Sequence, residues 1–354
     1  MSISIYRPKL NEDLPDPQMF FDLNGQEYEL YLNPIDTDID IVLLNHHTDI
    51  IEYPSKIKLF LEIWHNFENQ INIIKHKHKN NNNDWYTVTN SFNPDTEQQS
   101  NIIYNNFLFN RTKAYYSQFP FKHNTQRWYY ENEHNFGYVI PDRITAENKN
   151  KIYIAPNKNH SGREIKFRPQ IAKLLENVYY ELGYIGNVTD NPDLVLHPHS
   201  KFYIKSSIQV IENMKIQVPG MAGYSPPHNA YYENTFISIY AETIEWGHTI
   251  AVTEKTYDPL IKGHFILPFS NKGFVKYLKT LGFQFPNFID YSYDEIVEDQ
   301  LRFNCYVNEI HRLMLIDLDS WKQHWNDNIK LLRYNQLIFA QTPYDQIDFK
   351  KLLC

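Results

Sequence analysis

Cysteine is almost missing from this chain. Two residues in 354, Cys305 and the terminal Cys354, cannot form a disulfide framework and fit a reducing compartment. They are also too few for a thiolate metal cage. Long apolar runs are absent as well: no stretch approaches the roughly 20 residues that a membrane span needs. The N-terminus, MSISIYRPKLNEDLPDPQ, has charges and prolines where a secretory signal requires an apolar core. Positive charge is not in excess, with 34 Lys and Arg against 42 Asp and Glu, a formal net charge of -8. No overall field gathers phosphate backbones, which weighs against a nucleic-acid partner while leaving room for a local basic channel. No internal repeat is present.

What is present suits an enzyme-sized globular protein. A length of 354 residues favours two domains over one core, and a hydrophobic content of 42% is enough to fill both. Two packed domains leave a cleft. Aromatic residues make up 16%, with 27 Tyr and 22 Phe. Such rings can stack on sugars, although a compositional drift toward Tyr, Asn, Ile and Lys accounts for the same numbers.

The patterning alternates between strand and helix signals. DIDIVLLNHHT (38–48) is an apolar run ending in polar residues, as buried strands of α/β sheets do. After Pro54, SKIKLFLEIWHNFENQ places Ile57, Leu61 and Trp64 at helical spacing and is predicted as a helix. KHKHKNNNND (75–84) reads as a solvated loop, and WYTVTNSF (85–92) returns to a β pattern. Breakers at Pro120, Pro141 and Asn148 to Asn150 set a domain boundary near residue 148. Beyond it, KIYIAP (151–156) is predicted as a strand and RPQIAKLLENVYYELG (168–183) as an amphipathic helix closed by Gly183. Further strands are expected at 193–196, 236–240 and 264–269. A final helix from about Leu318 carries Trp321, Trp325, Ile329 and Leu332 on one stripe. The expected fold is therefore α/β, with parallel sheet covered on both faces.

The stretch richest in chemistry is FISIYAETIEWGHTIAVTEKTYDPLIKGHFILPFSNKGFVKYLKTLGF (236–283). A buried strand ends at Glu242, a loop follows, Thr253-Glu254-Lys255 comes next, and a second apolar strand ends near Pro268. Pro259 marks where a regular helix should begin, leaving the triplet in the preceding turn. This order resembles the donor-binding region of the α-1,3-fucosyltransferase family and related bacterial and viral glycosyltransferases: a strand ending in an acid, a variable loop, a Thr-Glu-Lys triplet, a helix and a strand. Glu242 precedes Glu254 by 12 positions (254 minus 242), near the spacing of that family. Upstream, YIAPNKNHSGREIKFRPQIAKLLENV resembles the family's strand, loop and Arg-led helix. The likeness covers roughly residues 150 to 300.

The resemblance implies a GT-B enzyme with two Rossmann-like domains facing a cleft: residues 1–148 on the acceptor side, 149–320 binding a nucleotide sugar, and a helical segment, 321–354, able to cross back. Arg168 then stands where the family keeps a pyrophosphate-binding arginine. Lys255 and Arg168 would neutralise the donor diphosphate. Glu254 would accept hydrogen bonds from the ribose, and Glu242 and Thr253 would belong to the same pocket, Glu242 ordering it or touching sugar or ribose. The implied partners are a nucleoside-diphosphate sugar, GDP-fucose first and UDP-sugars open, and a glycan or other hydroxyl acceptor. No cofactor beyond that donor and no metal are implied, and the expected location is the cytoplasm of a bacterial or virus-infected cell. Transfer of modified-DNA type and an inactive nucleotide- or carbohydrate-binding module are the competing readings.

Inverting transfer needs a group that takes the acceptor proton. His46, Asp49 and Glu131 are the candidates, with His47 and Glu133 beside them. Each also suits a cap or core role. The Asp36, Asp38, Asp40 run precedes its strand, whereas a metal-binding acidic motif should follow one. The His76/His78 and His197/His199 pairs have no evident third ligand, and Arg111 and Lys113 read more simply as surface charges.

Overall fold

A computed structural model describes residues 144–156, 166–187, 229–242 and 250–342, together with the backbone of isolated strands elsewhere. The chain divides into two compact units, one of Met1–Arg111, Phe119–Arg127 and Tyr344–Cys354, the other of Thr112–Gln118 and Trp128–Pro343.

In the first unit the described strands are β1 (Ile3–Tyr6), β2 (Phe21–Asp22), β3 (Tyr28–Tyr31), β4 (Ile39–Leu44), β5 (Ser55–Glu62), β6 (Trp85–Thr89), β7 (Ser91–Phe92) and β8 (Ile102–Tyr104). Six of them form one parallel sheet in the order β3-β1-β4-β5-β6-β8. The predicted helix after Pro54 is corrected here: its first half is β5. SKIKLFLE satisfies two periods at once, because Ile57 and Leu61 are four apart while Ile57, Leu59 and Leu61 also alternate. Pairing decides between them. β5 lies between two partners, with Ile57 opposite Ile41 and Leu59 opposite Leu43 on one side, and Lys58 opposite Trp85 on the other.

The second unit carries β9 (Tyr153–Ala155), helix α1 (Arg168–Val178), β10 (Gly183–Asn187), β11 (Ser200–Tyr203), β12 (Ile208–Ile211), β13 (Met214–Gln217), α2 (Asn229–Asn234), β14 (Ile237–Ala241), β15 (Ile250–Ala251), α3 (Glu254–Ile261), β16 (Phe265–Phe269), α4 (Phe274–Thr280), α5 (Asp299–Met314) and α6 (Leu318–Gln341). Strand β17 (Ile347–Asp348) comes after α6 in the chain but belongs to the first unit, where it pairs with β2. The main sheet has the order β11-β10-β9-β14-β16, and all its pairings are parallel. β9, β14 and β16 are buried at every position, which is why they read as continuous apolar runs instead of alternating ones. The chain leaves β9 first toward β10 and β11 and later returns to β14 and β16 on the other side. The carboxyl ends of β9 and β14 thus flank a topological switch point, where open α/β sheets leave a crevice for ligands.

Helices pack against this sheet. α1 buries Arg168, Ile171, Ala172 and Leu175, a stripe at i, i+3, i+4 and i+7. α6 buries Trp321, Trp325 and Leu332. Trp321 stacks on Phe236 at 5.7 Å and Trp325 meets Phe265 edge-on at 5.4 Å, so the two indoles clamp the amino ends of β14 and β16. From α5, Tyr306 donates to the carbonyls of Tyr240 and Leu267, tying the same two strands from within.

Two boundaries differ from the sequence expectation. Gly183 does not cap α1; a 3-10 turn (Tyr180–Leu182) intervenes and Gly183 opens β10 in an extended conformation. A Cβ there would lie 2.4 Å from the Tyr153 carbonyl oxygen, so the glycine serves close strand approach. Pro259 lies inside α3, which begins earlier, at Glu254. That helix ends at Gly263, whose φ of 68° permits the paired bonds from Gly263 N–H to the Leu260 carbonyl and from His264 N–H to the Pro259 carbonyl.

A polar knot sits where β9, β14 and β16 begin. Lys149 Nζ donates to the carbonyls of Tyr232 and Thr235 at 2.7 and 2.5 Å and lies 4.0 Å from the centre of a Trp325 ring. His264 Nε2–H donates to the Thr235 carbonyl at 2.6 Å, leaving Nδ1 to accept from Ser238 Oγ at 3.0 Å. Burial lowers Lys149 to about 7, opposed by the charge of Glu233. In the unfolded chain the amine keeps its proton up to its ordinary value near 10.5, so between about pH 7 and that value the unfolded state binds more protons and stability rises with pH. Lys149→Met should therefore flatten part of this rise in denaturant-unfolding free energy, and Lys262, also lowered to about 7 by burial, contributes in the same sense. Identical pH slopes in parent and variant would contradict it.

Candidate functional site

The switch point gathers the residues that carry the donor-site resemblance. Arg168 is the first residue of α1, and Glu242 directly follows β14. Arg168, only 2% exposed, donates from Nη2 to the backbone carbonyl of Glu242 at 2.7 Å. The guanidinium thus joins the helix after β9 to the end of β14, across the switch point.

Glu242 is wholly buried, and its carboxylate turns toward the start of α3. Oε1 accepts from Thr253 N–H at 3.1 Å and from Thr256 Oγ1 at 2.5 Å, while Oε2 accepts from Thr253 Oγ1 at 2.5 Å. Tyr240 O–H meets Thr256 Oγ1 at 2.7 Å; since that hydroxyl's proton goes to Glu242, Tyr240 is the donor. Burial raises the Glu242 carboxyl above its ordinary value, while the charge of Lys255 and the two threonine hydroxyls oppose the rise.

Thr253 connects the carboxylate to the triplet. Its extended backbone, φ -114° and ψ -178°, makes it the N-cap of α3. Having donated to Glu242, its hydroxyl oxygen accepts from the Lys255 backbone N–H and from Lys255 Nζ, both at 3.3 Å. Lys255 Nζ also donates to Glu254 Oε1 at 2.9 Å, with side chains 10% and 17% exposed respectively. Arg168, Glu242, Thr253, Lys255 and Glu254 therefore form one hydrogen-bonded chain. An ammonium and an acid reach the edge of this cluster at a helix N-terminus, whose dipole favours anions.

Tyr240 and Thr256 were not singled out from the sequence, yet both complete the Glu242 network. Strand alternation was the available signal for Tyr240, two residues before Glu242 on the same face of β14, and helical spacing for Thr256, three after the cap. The proposed general bases Asp49, His46 and Glu131 lie outside the described residues, as do His47, Glu133, Arg111, Lys113, Asp36, Asp38 and both histidine pairs. Asp40 belongs to β4. Among the described residues no group of three or more His, Cys, Asp and Glu converges, and no helix is long and apolar enough to cross a membrane.

The Glu242 network generates a ranked expectation for stability. Glu242→Gln keeps the shape but turns an amide toward a hydroxyl or N–H donor in a dry site, and should cost about 1–3 kcal/mol. Thr253→Val, which loses the cap, should cost about 1 kcal/mol or more, and Thr253→Ser much less. Denaturant midpoints with unchanged slopes would measure the order, and a Glu242→Gln protein as stable as the parent would show that the carboxylate does not hold α3.

No protein-family model matches this chain, and no curated protein matches it. Among solved structures it is similar to one titled "Crystal Structure of alpha1,3-Fucosyltransferase", at a TM-score of 0.45 and 12% identity, over 99% of this chain and 87% of that one.

Proposed function

We propose that the chain is a glycosyltransferase of GT-B type that moves a sugar from a nucleoside-diphosphate sugar to a hydroxyl acceptor, with inversion and without a metal ion. The observation that carries this reading is the single hydrogen-bonded chain from Arg168 through Glu242 and Thr253 to Lys255 and Glu254, set at the switch point of a parallel sheet. In the proposed reaction the acceptor oxygen attacks the anomeric carbon, its proton passes to a base, and the bond to the diphosphate breaks with the electron pair leaving on a phosphate oxygen. Lys255 contacts that oxygen, and the Arg168 guanidinium adds positive charge beneath it. Glu254 exchanges its lysine for the ribose hydroxyls. Glu242 positions Thr253 and so Lys255; it does not touch the substrate.

The proposed division is an acceptor domain, 1–148, a nucleotide-sugar domain, 149–320, and a terminal segment, 321–354, with Asp49, His46 and Glu131 as candidate bases. A GDP-fucose-like donor is favoured by the sequence resemblance, and UDP-sugars fit the same diphosphate and ribose contacts. Lys255→Ala should weaken nucleoside-diphosphate binding about tenfold or more, since a charge-assisted hydrogen bond is worth about 1.5–3 kcal/mol. Unchanged calorimetric affinity in a folded variant would remove Lys255 from the site. Because lysine and arginine supply the positive charge in this reading, sugar transfer should persist in excess EDTA. Loss on chelation and recovery with Mg²⁺ or Mn²⁺ would overturn the metal-free mechanism.

A further inference from the structure

A cavity of about 530 Å³ lies on the flank of the second unit, between α4 and the segment 285–295. It shares no residue with the Arg168–Lys255 cluster. Its volume falls within the ordinary range for small-ligand pockets.

The lining combines opposite charges with one aromatic face. Lys276 and Lys279 come from α4, Asp294 and Glu295 from the facing 3-10 turn (Ser292–Glu295), and Asn287 and Phe285 from the loop between them. Two cations face two carboxylates, so the cavity has no net charge to select a phosphate or a metal ion. A nucleobase sandwiched between two parallel rings has no place here. Phe285 instead meets Tyr291 edge-on, with centroids 5.1 Å apart and planes at 77°, and Lys279 Nζ lies over its ring at 5.7 Å from the centroid, which leaves one face for a ligand at most. Tyr291 is itself fixed, donating its hydroxyl to the Ile266 carbonyl at 2.8 Å.

The remaining chemistry suits a ring with a C–H face and a rim of hydroxyls. An aromatic platform takes the C–H face, while carboxylates, an amide and ammonium groups offer acceptors and donors around it. Asp294 is buried and anchored by the Lys276 backbone N–H at 3.2 Å. Burial pushes it up to about 6, so at neutral pH it is an acceptor-only carboxylate. We propose that this cavity is a carbohydrate-binding subsite for a neutral hexose unit, with Phe285 as the stacking platform and Glu295, Asn287 and Lys279 as hydroxyl partners. It stands apart from the donor site, and its occupancy does not depend on Lys255.

Saturation-transfer NMR and calorimetry on the full chain with methyl β-glucoside and methyl β-galactoside test it, with inorganic phosphate and glycine as the anionic and zwitterionic comparisons. At least one glycoside should bind, at about millimolar affinity, a standard free energy of about -4 kcal/mol. Phe285→Ala should abolish this, Glu295→Gln should weaken it several-fold, and Lys255→Ala should leave it unchanged. Glu295 is exposed, so its variant keeps the test decisive if Phe285→Ala fails to fold. Binding of neither glycoside, tighter binding of phosphate or glycine, or glycoside binding unaffected by Glu295→Gln would each overturn the assignment. Glycoside binding lost in Lys255→Ala would move the sugar to the donor site and overturn it as well.

Discussion

A carboxylate with no solvent contact must find its hydrogen-bond donors inside the protein, and the arrangement around Glu242 follows from that requirement. Three donors reach it, two from Thr253 and one from Thr256, so the start of α3 is held against the end of β14. Because Thr253 gives its proton inward, its oxygen is left to accept from Lys255. The backbone carbonyl of Glu242 meanwhile takes a guanidinium from α1. One residue at a strand end thus fixes the relative positions of two helices and the side chains at their first turns. The ammonium of Lys255, at the edge of this cluster, is held in place by a buried polar network.

That network could not hold on a mobile sheet. β14 and β16 are tied along their length: aromatic rings of α6 close their amino ends, and Tyr306 and Tyr293 donate to carbonyls of β14 and β16 toward the other. Phe167, immediately before Arg168, packs between Phe269 and Phe303 at centroid distances of 5.0 and 4.6 Å. The aromatic wealth seen in the composition therefore serves, in this unit, to immobilise strands and helix starts. Large rings bury much area at low side-chain entropy, which suits them to that work.

The candidate site was legible in part because its most informative residues lie at strand ends and helix starts, where local pattern and chemistry coincide. A buried run ending in Glu242 and a Thr-Glu-Lys triplet before a helix can be read in one dimension. Local pattern misplaces the start of α3 because Pro259 suits a first-turn position; the helix accommodates it and is begun by the Thr253 cap instead. Gly183 was misread because its role is steric and depends on Tyr153, thirty positions away (183 minus 153). The β5 segment was misread because its apolar residues satisfy both periods.

By itself the sequence determined that the runs at β9, β14 and β16 are buried, where the terminal aromatic stripe lies, and which acids, threonines and cations cluster near one strand end, since these depend on local periodicity and residue chemistry; the run expected at 193–196 lies outside the described residues. Only the tertiary structure decided that β5 is a strand, since the hydrogen bonds that settle it come from β4 and β6. It also decided that Glu242 faces the helix start. A buried carboxylate's orientation is chosen by whichever donors the fold brings within reach, and Thr253 and Thr256 reach it only when α3 folds back over the end of β14.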